Sequence, residues 1–384
     1  MAAKNDGIRW PAYWPPTTKI RGLHPLFTQA MSDQIMDEML AILPTVDESK
    51  AASIRSMRIP ALVAFMVPHS TSRDRLVILC KWLTCLLLFE NLFEYPCFSQ
   101  REMLHLGRGL KSLPDDMRLL ATAGYPALGD KSYPEYLRYV REVLTEMFRL
   151  SPRKDHFLRA ADYLERAIAA MRSTKEGGSS KARSDDLEDW KRDRIDGTGM
   201  YILFHWMEFA LDLHIPGSAW DDPAMQFLMD EACLQSGVVN DLYSLPKELM
   251  LNDGRIDMDS INCVAWLMRG TGETLQEAVD RCWDYIHHLD DSVVQAAIVA
   301  KSRFRSDQAI FRLVDAIVYS LQGWWAFEIT SSQSWLDSMY DCSHVTLSEK
   351  AMRVASDGKQ TSSIIAGEKE VNDVVKSGWT QALI

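Results

Sequence analysis

The sequence predicts an all-α protein built as a single helical bundle, and three observations lead to this prediction. Apolar residues recur at helical spacing, no segment keeps the alternation of a β-strand, and proline and glycine clusters separate the periodic stretches. The chain has 384 residues, of which 47% are hydrophobic, and this supplies enough apolar surface for one large core.

The domain is predicted to span residues 24–344, after an irregular, proline-rich segment at residues 1–23. Residues 174–189 are rich in glycine, serine and charge, which is typical of an exposed loop inserted in the domain. Residues 345–384 are polar and weakly patterned, so we expect a C-terminal tail outside the bundle.

The first two strong helical patterns have recognisable starts. Residues 24–43 are amphipathic, with Pro25 near the first turn, where proline is tolerated. Ser72 is a good N-cap for the following stretch, residues 73–95, which is apolar around most of its circumference. A helix that is apolar on most sides is predicted to be central.

Charge, cysteine content and hydropathy exclude several classes of protein. The formal net charge of −11 repels a polyanionic backbone, so we expect no nucleic-acid partner. The seven cysteines lack CxxC or Cys/His spacing, which argues against a disulfide framework and a zinc site. Neither a long uncharged apolar run nor an apolar N-terminal signal is present, which predicts a cytoplasmic protein that does not bind membranes.

One segment, NDLYSLPKE, carries the clearest chemical pattern. It places Asn240, Ser244 and Glu248 on one helical stripe, because steps of four residues drift only about 40° around the axis. An amide, a hydroxyl and a carboxylate offer oxygen ligands to a hard cation, so the stripe predicts a magnesium site. A solvated polar helix face is the alternative interpretation.

This segment resembles the second metal motif of class I terpene synthases, (N,D)Dxx(S,T)xxxE. Every specified position is met, by Asn240, Asp241, Ser244 and Glu248. The resemblance to fungal and bacterial sesquiterpene synthases covers roughly residues 24–340. It implies a helical bundle around a central apolar cavity, a prenyl diphosphate substrate, and up to three Mg²⁺ ions at the cavity mouth.

A pair of glutamates, Glu90 and Glu94, lies on one face of the predicted central helix. With Asn91, they stand where the family has its aspartate-rich first metal motif, so the resemblance makes them candidate metal ligands. The match is altered, because Glu90, Asn91 and Glu94 replace three aspartates, and we expect changed or weaker metal binding. Glutamates four residues apart also commonly face solvent, which is the alternative.

The resemblance also implies a set of diphosphate-binding residues. Arg194 lies 46 residues before Asn240, where the family has its diphosphate-sensing arginine at a helix break. A guanidinium donates two parallel hydrogen bonds to a phosphate, and Lys247 adds a second cation. Arg192 is the fallback for the sensor, and a surface salt bridge is the alternative to that role. Asp196 and Gly197 resemble the linker and effector, in a register shifted by about one residue.

The last predicted core helix departs from the family pattern. The family ends this helix with an Arg-Tyr pair that donates to the diphosphate, whereas Thr330 keeps its place and Ser332 and Gln333 occupy the pair's positions. A permanent cation is therefore missing, and reduced ionising power is expected.

The cavity wall is predicted to be aromatic and aliphatic, since aromatic faces stabilise carbocations and apolar walls exclude water. Plain core packing is the alternative for every one of these side chains. The candidates are Leu86, Leu87, Phe89, Phe204, Trp206, Tyr319, Trp324 and Phe327.

Three hypotheses about function follow. The first is a Mg²⁺-dependent cyclase that ionises a prenyl diphosphate, with the C15 farnesyl compound preferred, and forms a sesquiterpene as a monomer or homodimer. In the second, an external nucleophile such as an amine or alcohol captures the terpenyl cation, served by Glu90, Asn91, Ser332 or Gln333. The third is a catalytically weak relative that acts as a binding or partner protein.

Overall fold

The computed structural model describes residues 24–43, 46–67, 69–94, 100–124, 135–175, 186–252, 255–258 and 260–339. This part of the chain contains helices and no strand, so the predicted all-α class is confirmed. The helices are Gln29–Ile42 (α1), Glu48–Ser56 (α2), Ile59–Met66 (α3), Arg73–Glu94 (α4), Gln100–Ala123 (α5), Glu135–Leu150 (α6), Lys154–Lys175 (α7), Leu187–Gly197 (α8), Met200–Ala210 (α9), Gly217–Trp220 (α10), Pro223–Leu251 (α11), Cys263–Thr271 (α12), Leu275–Arg303 (α13) and Gln308–Met339 (α14).

Side-chain caps determine where several helices begin. The Thr28 hydroxyl accepts from the Met31 N–H at 3.2 Å, so α1 starts after Pro25 rather than at it. Ser72 caps α4 as the sequence indicates, since its Oγ accepts from the Arg75 N–H at 3.2 Å. Each cap satisfies an N–H that has no partner within the helix.

Five helices pack in a closed order around the middle of the bundle. α3 packs on α4, α4 on α9, α9 on α11, α11 on α14, and α14 back on α3. All 11 residues of α9 are buried. The prediction of a central α4 agrees with its place in this ring, while α9 is the more deeply enclosed helix.

A second apolar cluster lies on the outer side of α11. It joins α8, α11, α12, α13 and one face of α14, with Trp190 stacked on Trp266 at a centroid distance of 5.0 Å. Trp325 packs edge-on against Tyr243 and Trp283. Because α11 packs against an apolar cluster on each side, the helix that carries the polar stripe is held firmly in position.

Several predicted segments lie wholly or partly outside the described residues, namely 1–23, 340–344, 345–384 and the centre of the 174–189 loop. At the edges of that loop the chain is helical, since α7 runs to Lys175 and α8 begins at Leu187. Among the described helices, none has the length and apolarity needed to cross a membrane.

Candidate active site

The polar stripe of α11 is the starting point of the candidate site. Asn240, Ser244 and Glu248 are all partly buried near the C-terminal end of this helix, which continues through Pro246. The Ser244 hydroxyl donates to Glu248 Oε1 at 2.6 Å. Two of the three predicted ligands are therefore in direct contact, as expected for side chains four residues apart.

Asn262 supports Glu248 from outside the motif. Its amide Nδ2 donates to Glu248 Oε2 at 3.1 Å and to the Asp241 carbonyl at 2.9 Å. Its Oδ1 accepts from the Val264 N–H, so the same side chain caps α12. Both carboxylate oxygens of Glu248 thus have hydrogen-bond donors, which fix the orientation of the carboxylate.

Glu328 reaches the motif from α14. Asn240 Nδ2 donates to Glu328 Oε1 at 3.1 Å, across 88 residues of sequence. Glu328 is buried, with 7% of its surface exposed, although glutamate is rarely found fully buried unless it is paired. Neither Glu328 nor Asn262 belongs to the sequence motif that predicts the stripe.

Arg194 is buried and forms three hydrogen bonds with α11. Its Nε and Nη2 donate to the two carboxylate oxygens of Asp241 at 3.1 and 2.8 Å, and Nη2 also donates to the Gly237 carbonyl at 2.7 Å. A Cβ on Gly237 would lie 3.1 Å from Arg194 Nε, so glycine leaves room for the guanidinium. Arg194 therefore contacts α11 at Asp241, the residue that follows Asn240 in the chain.

Both carboxylate oxygens of Asp241 accept hydrogen bonds from protein groups. Besides Arg194, the backbone N–H of Cys263 donates to its Oδ2 at 2.9 Å. Burial raises the pKa of the Asp241 carboxyl, and the Arg194 guanidinium and the Cys263 N–H oppose this shift. Asp241 therefore joins α8, α11 and α12, and we assign it no metal.

The helix break predicted after Arg194 is present. α8 ends at Gly197 and α9 starts after Gly199, whose φ of 66° lies in the left-handed region that favours glycine. Asp196 accepts from Arg166 on α7 at 3.1 Å. The fallback sensor Arg192 is exposed and donates to Asp189 on its own helix, so its position is that of a surface salt bridge.

The remaining motif residues are placed by their backbone alone. Glu90, Asn91 and Glu94 belong to the last turns of α4, and Lys247 belongs to α11. Ser332, Gln333 and Thr330 belong to α14. The side chains of these seven residues, and of Phe89, lie outside the described residues.

The predicted cavity residues lie in different surroundings. Trp206 is fully buried against Trp82, His156 and Phe157, which is a packed core cluster between α4, α7 and α9. By helical periodicity, Trp324 lies on the same side of α14 as Glu328, four residues away, whereas Phe327 points about 100° away from Glu328. The other candidates are the fully buried Phe204, the partly buried Leu86 and Leu87, and Tyr319, which packs on His69.

The donor chemistry of the stripe fits magnesium. In the described ranges no three His, Cys, Asp or Glu side chains gather at one point, so the donors here are mixed. Asn240 Oδ1, Ser244 Oγ and the Glu248 carboxylate are all oxygen atoms, the ligand type that Mg²⁺ prefers. A single carboxylate leaves coordination positions for water and phosphate oxygens.

An all-α bundle with this stripe, beside a buried arginine at a helix break, has the architecture of class I terpenoid synthases. The chain belongs to the terpene synthase family. The family model described as terpene synthase family 2, C-terminal metal binding, matches residues 81–289, which is more than half of the chain.

Individual relatives agree with this assignment. Spiroviolene synthase from Streptomyces violens is 32% identical over 103 residues, which is 27% of this chain and 27% of that relative. The structure of a-eudesmol synthase has a TM-score of 0.65 and 18% identity, and the match covers 85% of this chain and 99% of that one. Linalool/nerolidol synthase from Streptomyces clavuligerus, in complex with 2-fluorogeranyl diphosphate, has a TM-score of 0.62 and 18% identity, covering 80% and 99%. At these identities the structural likeness shows the fold.

Proposed function

We propose that the protein is a Mg²⁺-dependent terpene cyclase that ionises a prenyl diphosphate, with farnesyl diphosphate preferred, and cyclises the carbocation to a sesquiterpene. The observation that carries this proposal is the Ser244–Glu248 pair beside Asn240, in a chain of the terpene synthase family. The helix that carries these oxygen ligands, α11, packs on α9 and α14 in the ring of helices.

Asn240 Oδ1, Ser244 Oγ and Glu248 would hold Mg²⁺ from α11. When bound, the ion would neutralise charge on the diphosphate leaving group. Asn262 keeps the Glu248 carboxylate in place through its 3.1 Å hydrogen bond. The altered first motif, Glu90 with Asn91 and Glu94, is proposed to contribute metal ligands from α4.

Arg194 and Lys247 are proposed to bind the diphosphate. Arg194 suits this role because its guanidinium is always charged and it joins the α8–α9 break to the metal stripe through Asp241. Its third nitrogen, Nη1, takes no part in the bonds to Asp241 and Gly237. Asp196 and Gly197 remain candidate linker and effector, although Asp196 is paired with Arg166.

The apolar residues of the ring are proposed to hold the isoprenoid chain. Trp324 lies one turn before Glu328 on the same side of α14, so it would stand below the metal stripe, and Phe327 lies on the neighbouring side of the helix. An aromatic face near a carbocation stabilises it by about 0.5–2 kcal/mol. Leu86, Leu87, Phe89, Phe204 and Tyr319 would complete a wall that excludes water. Trp206, packed in its own cluster, is the weakest candidate.

Support for a prenyl diphosphate comes from a structural neighbour that was solved with a prenyl diphosphate analogue. The test is incubation of the purified protein with Mg²⁺ and the C10, C15 or C20 prenyl diphosphates, with products analysed by mass spectrometry. We expect a cyclic C15 product. If diphosphate is released in no incubation, the catalytically weak relative is the correct hypothesis.

The site variants give the corresponding prediction. Glu248→Gln removes the only carboxylate of the stripe and Asn240→Ala removes its amide oxygen, so turnover should be abolished while folding is retained. The matched control is Glu165→Gln, which changes an exposed glutamate on α7 and should leave turnover intact. Full activity of Glu90→Ala would show that the first-motif assignment is wrong.

A second enzymatic function is favoured by one observation, the replacement of the Arg-Tyr pair by Ser332 and Gln333. Polar neutral groups there could orient a second substrate. Adding candidate amines to the same incubation separates the two functions. A terpenyl adduct that forms only with the amine supports nucleophile capture, whereas a cyclic hydrocarbon without additive supports the cyclase.

A further inference from the structure

The contact between Glu328 and Asn240 constrains the predicted metal ligand. Glu328 comes from α14 and is 7% exposed, so its carboxylate is held inside the bundle next to the stripe. Asn240 Nδ2 donates to Glu328 Oε1 at 3.1 Å. A carboxylate accepts hydrogen bonds and does not donate them, so the amide must turn its N–H toward Glu328.

This orientation decides which Asn240 atom is available to a cation. With Nδ2 directed at α14, Oδ1 is the atom left to face the rest of the stripe. Hydrogen bonds to the groups around a metal ligand commonly determine its orientation and affinity. Asparagine and aspartate both offer oxygen to Mg²⁺, so metal chemistry alone does not choose between them.

We propose that Glu328 is a positioning residue that orients the Asn240 amide and restricts position 240 to asparagine. The metal role of this orientation rests on the proposed function, whereas the side-chain pairing does not. Aspartate at this position would place two carboxylates against each other in a buried site. Because like charges repel and neither group can donate, Asn240→Asp should be poorly tolerated while Glu328 is present.

A two-site exchange tests the pairing in metal-free protein at a fixed pH. Asn240→Asp alone should lower the Tm by roughly 5 °C, because a hydrogen bond to a charged group is lost and a repulsion is added. Glu328→Gln alone should change the Tm by about 2 °C or less, since the glutamine Oε1 still accepts from Asn240. The double variant should recover most of the loss, because the glutamine Nε2 can donate to the new carboxylate.

The matched control is Asn252→Asp, which makes the same chemical change at an exposed position after α11. Combined with Glu328→Gln, it should give additive Tm changes, since the two sites share no contact. If Asn240→Asp is equally tolerated with Glu328 and with glutamine at position 328, the proposed pairing is refuted.

Metal binding supplies the second measurement, with Mn²⁺ as an EPR-visible probe in the presence of inorganic diphosphate. Glu328→Ala should weaken Mn²⁺ binding roughly 10-fold, and Glu328→Gln should restore it to within about three-fold of the unmodified protein. A Glu328→Gln variant as weak as Glu328→Ala would show that Glu328 is itself a metal ligand, and would overturn the positioning role. Failure of the unmodified protein to bind Mn²⁺ refutes the proposed function, while the metal-free Tm comparison still decides the pairing.

Discussion

Asp241 follows Asn240 in the chain, yet its side chain points toward α8 and α12. The carboxylate accepts from Arg194 and from the Cys263 N–H, and it is almost fully buried. Asn240 and Asp241 therefore have different contacts although they are neighbours in one motif, because adjacent side chains on a helix point about 100° apart. Asn240 faces the site, and Asp241 holds the surrounding helices together.

Removing one partner of the Arg194–Asp241 ion pair should lower the free energy of unfolding more than removing both. Asp241→Ala leaves the buried Arg194 guanidinium without its carboxylate, which destabilises a protein by about 3–5 kcal/mol. The double variant Arg194→Met with Asp241→Leu replaces both charges by apolar groups, so it should lose less stability than Asp241→Ala. Urea unfolding measures the two free energies directly.

A surface pair gives the control for this comparison. Asp189→Ala removes the exposed partner of Arg192 and should change stability little, because exposed ion pairs are weak. If the double variant is less stable than Asp241→Ala, the charge pair itself contributes more than an apolar contact, and our account of the α8–α11 junction is wrong.

The sequence predicted the stripe because a helix brings residues four apart together, whatever the rest of the fold does. It could not predict Asn262 or Glu328, which meet the stripe across 14 and 88 residues. The local sequence marks neither side chain as a partner of the stripe, since Asn262 has the pattern of a helix cap and Glu328 is a single glutamate in an apolar helix. Such partners depend on how α12 and α14 pack on α11.

At the scale of the helices, α14 and α3 come into close backbone contact at Gly323. A Cβ built there would lie 2.1 Å from the Phe65 carbonyl oxygen and 2.9 Å from the Met66 nitrogen. These are backbone atoms, which cannot turn away as a flexible side chain can. The contact joins α14 to α3 in the ring, so it fixes where α14 presents Trp324 and Glu328.

Gly323→Ala should therefore push α14 away from α3. Overpacking of this kind destabilises by about 1–3 kcal/mol or more, despite the better helix propensity of alanine. The matched control is Gly270→Ala in α12, where nothing lies within 4 Å of the added carbon, and where alanine should be neutral or stabilising. Thermal unfolding compares the two variants, and equal Tm values would contradict the close approach.

Helix starts were easier to predict than helix packing, because capping is local chemistry. Ser72 caps α4 as the sequence indicates, whereas the charge-rich composition of residues 174–189 predicts a loop although the last of these residues begin α8. Asp186 caps this helix through the Glu188 and Asp189 N–H groups. Charged residues in a first turn resemble a loop in composition, which explains the difference.

At the scale of the whole molecule, the described residues include a pair of buried histidines and a pair of buried carboxyl groups that respond to pH in opposite directions. Burial lowers the pKa of His156 to about 3 and that of His205 well below its ordinary value. Their contribution to stability is present above the unfolded histidine pKa of about 6.5 and is lost as pH falls. Burial raises the pKa of Glu231 and Asp290 to about 7, so their contribution is present at acidic pH and is lost as pH rises through 7.

Between pH 4.5 and 6.5, about two protons taken up by the unfolded histidines are balanced by two held on the folded carboxyl groups. The contributions of these four groups should therefore largely cancel one another over this range, and each set becomes visible only when the other is removed. His205 is the better histidine to change, because neither ring nitrogen has a hydrogen-bond partner among the described residues. Its ring is held by contacts with Tyr163 and Trp220, at centroid distances of 4.2 and 4.0 Å.

His205→Phe should keep this stacking and remove the proton that the unfolded chain takes up. Its stability relative to the unmodified protein should rise by about 1.4 kcal/mol for each pH unit below 6.5, as measured by urea unfolding at pH 7, 6 and 5. The control is the exposed His214, changed to glutamine, which leaves the buried ring in place and should not reproduce this rise. The free energy of unfolding of His205→Phe relative to the unmodified protein could instead be the same at all three pH values. That result would mean that the buried ring takes up its proton in the folded protein, and His205 would then not contribute to the loss of stability at acidic pH.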